Sequence, residues 1–137
     1  MRPRYFVAMS ALVGVVLLSD LAAPARGAET SARQRAIVLF KEPVVVAGTF
    51  LMGRVMIVHD QDRKDRGEPC TQFLQLAEAQ PPVEIVSIHC KRVSRPVADQ
   101  LTLGMRTPDI NYRILTSYQF RGSDHAHELL PDGHSPH

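Results

Sequence analysis

Apolar and polar residues alternate most cleanly along residues 111–121. Tyr112, Ile114, Thr116, Tyr118 and Phe120 fall on one face, Arg113, Ser117, Gln119 and Arg121 on the other, and Leu115 is out of phase. A period of two buries one face of a strand and wets the other, as in an antiparallel sheet. Residues 35–41 (RAIVLFK) are rich in β-branched and aromatic side chains, and Pro43 separates them from Val44, Val45 and Val46. Gly48 marks a turn or bulge, and residues 50–59 (FLMGRVMIVH) read as a long strand kinked at Gly53. Residues 60–69 form a charged loop. Residues 71–76 are strand-like, while 74–80 read equally as a helical turn, ended by Pro81-Pro82. Residues 83–93 (VEIVSIHCKRV) make the best candidate for a buried strand, 100–106 a further short one, and Thr107-Pro108-Asp109 a turn. Six or seven short strands with turn signals between them predict an all-β domain, either a small antiparallel β-sandwich or an open barrel. Its expected core is Ile37, Leu39, Val45, Val55, Ile57, Val86, Ile88, Ile114, Tyr118 and Phe120.

The N-terminus is built differently. Arg2 and Arg4 precede an apolar run over residues 6–18, and small residues follow. Ala23-Pro24-Ala25 is an A-x-A signal for cleavage after Ala25, with Gly27 and Ala28 as alternatives. A spanning helix needs about 18 apolar residues, and this run stops well short of that before Asp20. The expected organisation is a signal helix over residues 1–25, a flexible segment over 26–33, one β-domain over 34–130 and a flexible tail over 131–137. The mature chain is then exported, periplasmic or extracellular, with no stable membrane insertion. The formal net charge of +2 falls to about +1 when Arg2, Arg4 and Asp20 are removed. No basic face is evident, so nucleic acid is not an expected partner.

In an oxidising compartment the two cysteines, Cys70 and Cys90, most simply form one disulfide. Closing a loop of that size contributes about 3 kcal/mol in the chain-entropy treatment. A redox-active dithiol would favour C-x-x-C spacing, which is absent; a Cys/His metal site is the remaining alternative. Among the histidines, His125 and His127 are two apart and share a face if they lie on a strand. Asp124 or Glu128 adds a carboxylate, and His59 and His89 sit in or at the end of apolar strands. Convergence of these imidazoles would suit Zn or Cu. Against this, H-x-H is a short motif, Gly122-Ser123-Asp124 reads as a turn, and a histidine beside Cys90 is ordinarily a half-buried partner to a backbone carbonyl. His134 and His137 belong to the tail.

The nucleophile elbow, the H-E-x-x-H zinc motif, the P-loop and the dinucleotide-binding glycine pattern are all missing. The charged loop lacks the ligand alternation of a calcium loop, since Lys64 occupies a ligand position. No catalytic residue is therefore assigned.

Residues 42–58 (EPVVVAGTFLMGRVMIV), Glu68-Pro69-Cys70-Thr71, Ser87-Ile88-His89-Cys90 and residues 118–131 (YQFRGSDHAHELLP) together resemble a family of small exported bacterial β-domain proteins, a domain of unknown function. Arg54-Val55 departs from that pattern, which carries an aromatic after the glycine. The resemblance implies a β-domain of the envelope or periplasm and supplies no activity. The expected function is a non-enzymatic binding or structural module without a cofactor, with an envelope protein as an open choice of partner. The alternative is a periplasmic Zn- or Cu-binding protein that uses His125 and His127 with His89 or His59.

Overall fold

Pro43 and two bulges decide how this chain closes on itself. The computed structural model describes residues 32–131; the expected signal segment, most of the flexible segment after it, and His134 and His137 lie outside the described residues. Seven strands and one short helix follow in order: β1 (Arg33–Val46), β2 (Thr49–Asp60), α1 (Gln61–Asp65), β3 (Thr71–Gln75), β4 (Val83–Ser94), β5 (Thr102–Asp109), β6 (Tyr112–Gln119) and β7 (His125–Leu130). They form one sheet in the order β1-β2-β3-β4-β7-β6-β5, antiparallel throughout except where β1 meets β6. That parallel contact, Val44 with Arg113 and Val45 with Ile114, closes six strands into a barrel. β5 is an additional strand on the other edge of β6. Of the two expected architectures the chain adopts the barrel.

β1 and β2 are joined by Ala47-Gly48, both with positive φ (48° and 76°), the backbone of a two-residue hairpin turn that matches strand twist. Along this hairpin the pairing runs without interruption to Phe40–Gly53 and resumes at Val44–Leu51. Lys41, Glu42 and Pro43 thus face Met52 alone. Proline has no N–H to lose inside a bulge, and Gly53 opposite takes φ 79°. The bend swings Val44–Val46 across to β6. It leaves residues 34–40 paired with β2 on one edge and, among the described residues, with no strand on the other.

The core consists of Phe40, Val44, Val46, Leu51, Val55, Ile57, Phe73, Ile88, Leu115, Tyr118, Phe120 and Leu129. Two expected core residues are corrected: Ile37 and Leu39 are 55 % and 58 % exposed, and Ala36, Val38 and Phe40 face inward instead. Residues 36–40 are apolar on both faces, so their pattern cannot choose an inner one; the bulge and the turn do. Val45 is likewise only half-buried between Val44 and Val46. On β6, Met105 pairs with Leu115 and Gly104 with Ser117, which leaves Thr116 unpaired. This bulge shifts the phase by one residue, so Leu115 and Tyr118 are both buried and Ile114 is not. Leu115, out of phase in the sequence, marks the shift.

β4 is less buried than its composition suggests. A bulge at Ile85 sets Phe73 against Val86 and Leu74 against Glu84; Ile88 and Cys90 point inward while Val83 and Ile85 are exposed. The charged loop contains α1, capped by Asp60, whose carboxylate accepts from Arg63 N at 3.1 Å. The turn expected at residues 107–109 lies instead at Ile110-Asn111, where Asn111 N donates to Asp109 Oδ1 at 2.8 Å.

Candidate functional site

Cys70, at the entry to β3, and Cys90 on β4 form a buried disulfide with Cα atoms 6.1 Å apart. Both lie at one end of the barrel interior, where His59 stands one residue before the end of β2 and β7 places His127 opposite Tyr118. His59 is 4 % exposed and His127 2 %. Their rings stack with centroids 4.0 Å apart and planes at 28°. Tyr118 lies near-parallel to His127 at 5.0 Å, and Phe120 and His125 meet it edge-on. The Tyr118 hydroxyl is hydrogen-bonded to Thr71 Oγ1, and burial raises its pKa.

Cys90 Sγ is 4.0 Å from His127 Nδ1. One potential ligand atom from each of His59, Cys90 and His127 lies within 4.8 Å of the other two. The Nε2 atoms of His59 and His127 are buried and have no hydrogen-bond partner in the protein. A buried polar atom left unpaired is costly, and in this the two imidazoles differ from the buried hydroxyls of Thr71 and Tyr118, which pair with each other. Burial is the main cause that lowers the pKa of His59 to about 4; the positive charge of Lys64 adds to it, and Asp60 opposes it. His127 is lowered to about 3, first by burial and then by His59, His125, Lys64 and Arg92. Both rings are neutral at pH 7, each with a lone pair available.

The histidines singled out in the sequence therefore separate into three kinds. His59 and His127 converge. His125 shares the strand face with His127, but its Nδ1 is 3.1 Å from Ser123 Oγ and 3.0 Å from Asp124 Oδ1, which holds it aside. His89 neighbours Cys90 on β4 and so turns to the opposite face. Asp124 is also 3.8 Å from Arg92, and Glu128 3.8 Å from Arg95. Neither belongs to the convergent group. Cys90 joins that group, which the sequence left open only as the Cys/His alternative to a disulfide, without placing it beside His59 and His127. Its one signal in the sequence is the period-two spacing from Ile88, which puts both on the inner face of β4.

A second feature lies along the outer edge of β1. Two hollows, of about 360 Å³ and about 300 Å³, run along the seam between the unpaired edge of β1 and β5. Leu101, Leu103 and Met105 form the far wall against Ala36, Val38 and Phe40. Around them stand Arg33, Arg35, Lys41, Arg113 and Arg121, with Glu42 as the single carboxylate. Glu42 is 3.8 Å from Arg113.

No family model, no curated protein and no solved structure matches this chain. The fold and the two sites define a small β-barrel closed by one disulfide.

Proposed function

We propose that this chain is an exported, non-enzymatic binding module that takes up an extended, acidic segment of an envelope protein along the β1–β5 seam. The observation that carries the reading is the edge of β1 over residues 34–40, which no strand covers among the described residues and which faces an apolar wall. A strand edge with free backbone donors and acceptors is a template for strand addition, in which the main chain supplies affinity and alternate side chains supply specificity. Inward side chains of the incoming strand would lie on Val38, Leu103 and Met105. Outward ones would meet basic groups, and carboxylates there are favoured over ammonium groups. Export is supported by the basic, apolar and small-residue order of the N-terminus and by the buried cystine.

The test uses a fluorescent peptide of about ten residues with alternating valine and glutamate, a valine–lysine peptide as control, and the full mature protein. The acidic peptide is expected to bind at micromolar concentration, with amide exchange slowed in residues 34–40. The variant Arg35→Glu/Arg121→Glu, altered only at exposed positions, should lose binding while its melting temperature stays put. Equal binding of both peptides, binding indifferent to the charge reversal, or pairing of β1 with a second copy of the chain would overturn the reading.

A further inference from the structure

The cystine and the two unpartnered imidazoles occupy one locus at the end of the barrel. We infer that reduction of Cys70–Cys90 turns this locus into a four-donor site for Zn²⁺, with Cys70, Cys90, His59 and His127 as ligands, so that cystine and bound metal are alternative closures of the same barrel end. This inference is independent of the seam and of any peptide bound there.

Three observations lead to it. The first is convergence. Potential ligand atoms of His59, Cys90 and His127 already lie within 4.8 Å of one another, and Cys70 Sγ, outside that group, is bonded to Cys90 Sγ. Tetrahedral zinc with bonds of about 2.0–2.3 Å holds its donors roughly 3.3–3.8 Å apart, so metal binding requires the sulfurs to separate and the stacked imidazoles to turn their ring planes towards a shared point. The second is need. His59 Nε2 and His127 Nε2 are buried without a partner in the protein, and His127 presents its other nitrogen, Nδ1, to Cys90 Sγ at 4.0 Å. All four side chains are at most 4 % exposed, as in closed structural zinc sites.

The third is charge, and it selects the reduced form. In the cystine form the only donors are two neutral imidazoles, and Lys64 and Arg92 act on both with positive charge. A divalent cation is disfavoured there, with only Asp60 to offset the field at His59. Two thiolates reverse this balance, because their charge cancels that of Zn²⁺. The chemistry balances. A dithiol reductant transfers two electrons and two protons to the cystine, giving two thiols and its own disulfide. Zn²⁺ then displaces two protons as it binds both sulfurs. Reoxidation withdraws both sulfur donors and releases the metal.

The decisive experiment compares the oxidised mature protein with the same protein reduced by a dithiol in denaturant and refolded without oxygen. Each is titrated with Zn²⁺, and with Co²⁺ as a spectroscopic probe. The reduced protein is expected to retain one metal through gel filtration, show a thiolate-to-cobalt charge-transfer band, and bind Zn²⁺ at least a hundredfold more tightly than the oxidised protein. Cys90→Ser, His59→Gln and His127→Gln should each weaken binding tenfold or more, while His89→Gln leaves it unchanged. If the reduced chain folds only with metal, recovery of the β-sheet circular dichroism on adding one equivalent of Zn²⁺ supports the same conclusion. Failure of Zn²⁺ to bind the refolded reduced protein, failure to restore its fold, or equal binding by the oxidised protein would overturn the inference.

Discussion

His59 and His127 lie ring against ring at 4.0 Å, although β2 and β7 share no ladder. The contact spans the barrel interior, and it exists because closure brings the inner faces of two non-adjacent strands together. Folding therefore buries two imidazoles in their neutral form.

Acid should destabilise the fold through this pair. Each folded pKa, about 4 for His59 and about 3 for His127, lies below the unfolded value of about 6.5. Above pH 6.5 both states are neutral and the pair adds no pH dependence. As the pH falls below 6.5 the unfolded chain takes up protons that the folded one does not, so stability is lost by up to about 1.4 kcal/mol per pH unit for each ring. Urea midpoints at pH 7.5, 5.5 and 4.5 should fall accordingly, and His59→Phe/His127→Phe should flatten that slope. An unchanged slope in the double variant would mean that the rings protonate inside the fold.

Removal of the cystine should cost a large share of stability. The linked residues are 20 apart in sequence, for which the chain-entropy treatment gives about 3 kcal/mol. Cys70→Ala/Cys90→Ala, measured by urea unfolding beside the oxidised protein, is expected to lose about that amount. A loss below about 1 kcal/mol would show that the unfolded chain is already restrained near these residues.

Strand β1 offers a test of which face is inside. Phe40→Ala should cost about 3–5 kcal/mol, whereas Ile37→Thr and Leu39→Thr should stay within about 0.5 kcal/mol of the parent. The reverse order would place the inner face one residue out of register.

The hairpin turn can be improved. Ala47 holds φ 48°, a conformation that costs an alanine roughly 1 kcal/mol and suits asparagine far better. Ala47→Asn should raise the melting temperature, with a gain of about 0.5–1 kcal/mol. A loss would indicate that the alanine methyl makes a contact that outweighs the turn.

Tyr118 and Thr71 form a buried hydroxyl pair between β6 and β3. Tyr118→Phe leaves Thr71 Oγ1 without that partner, at an expected cost of about 1–3 kcal/mol. Thr71→Val/Tyr118→Phe together should cost less than the sum of the single changes in a double-mutant cycle.

Local pattern alone determined that the chain is all-β, that strands run close to residues 35–41, 50–59, 71–76, 83–93 and 111–121, and that Cys70 and Cys90 are the available disulfide pair. These follow from period-two alternation, β-branched composition and turn residues, all of which act within a few residues. Tertiary structure decided the rest. In residues 36–40 and 44–46 every side chain is apolar, so only the bulge at Lys41–Pro43 and the turn at Ala47-Gly48 select Val38 and Phe40 over Ile37 and Leu39 for the interior. The convergent site has the same origin. His125 and His127 share a strand, but the partners of His127 are Cys90, across the paired strands β4 and β7, and His59, on a strand that only barrel closure brings to it. Spacing along the chain reports which residues share a face; which faces meet across an interior depends on strand order and register, and no local pattern encodes those.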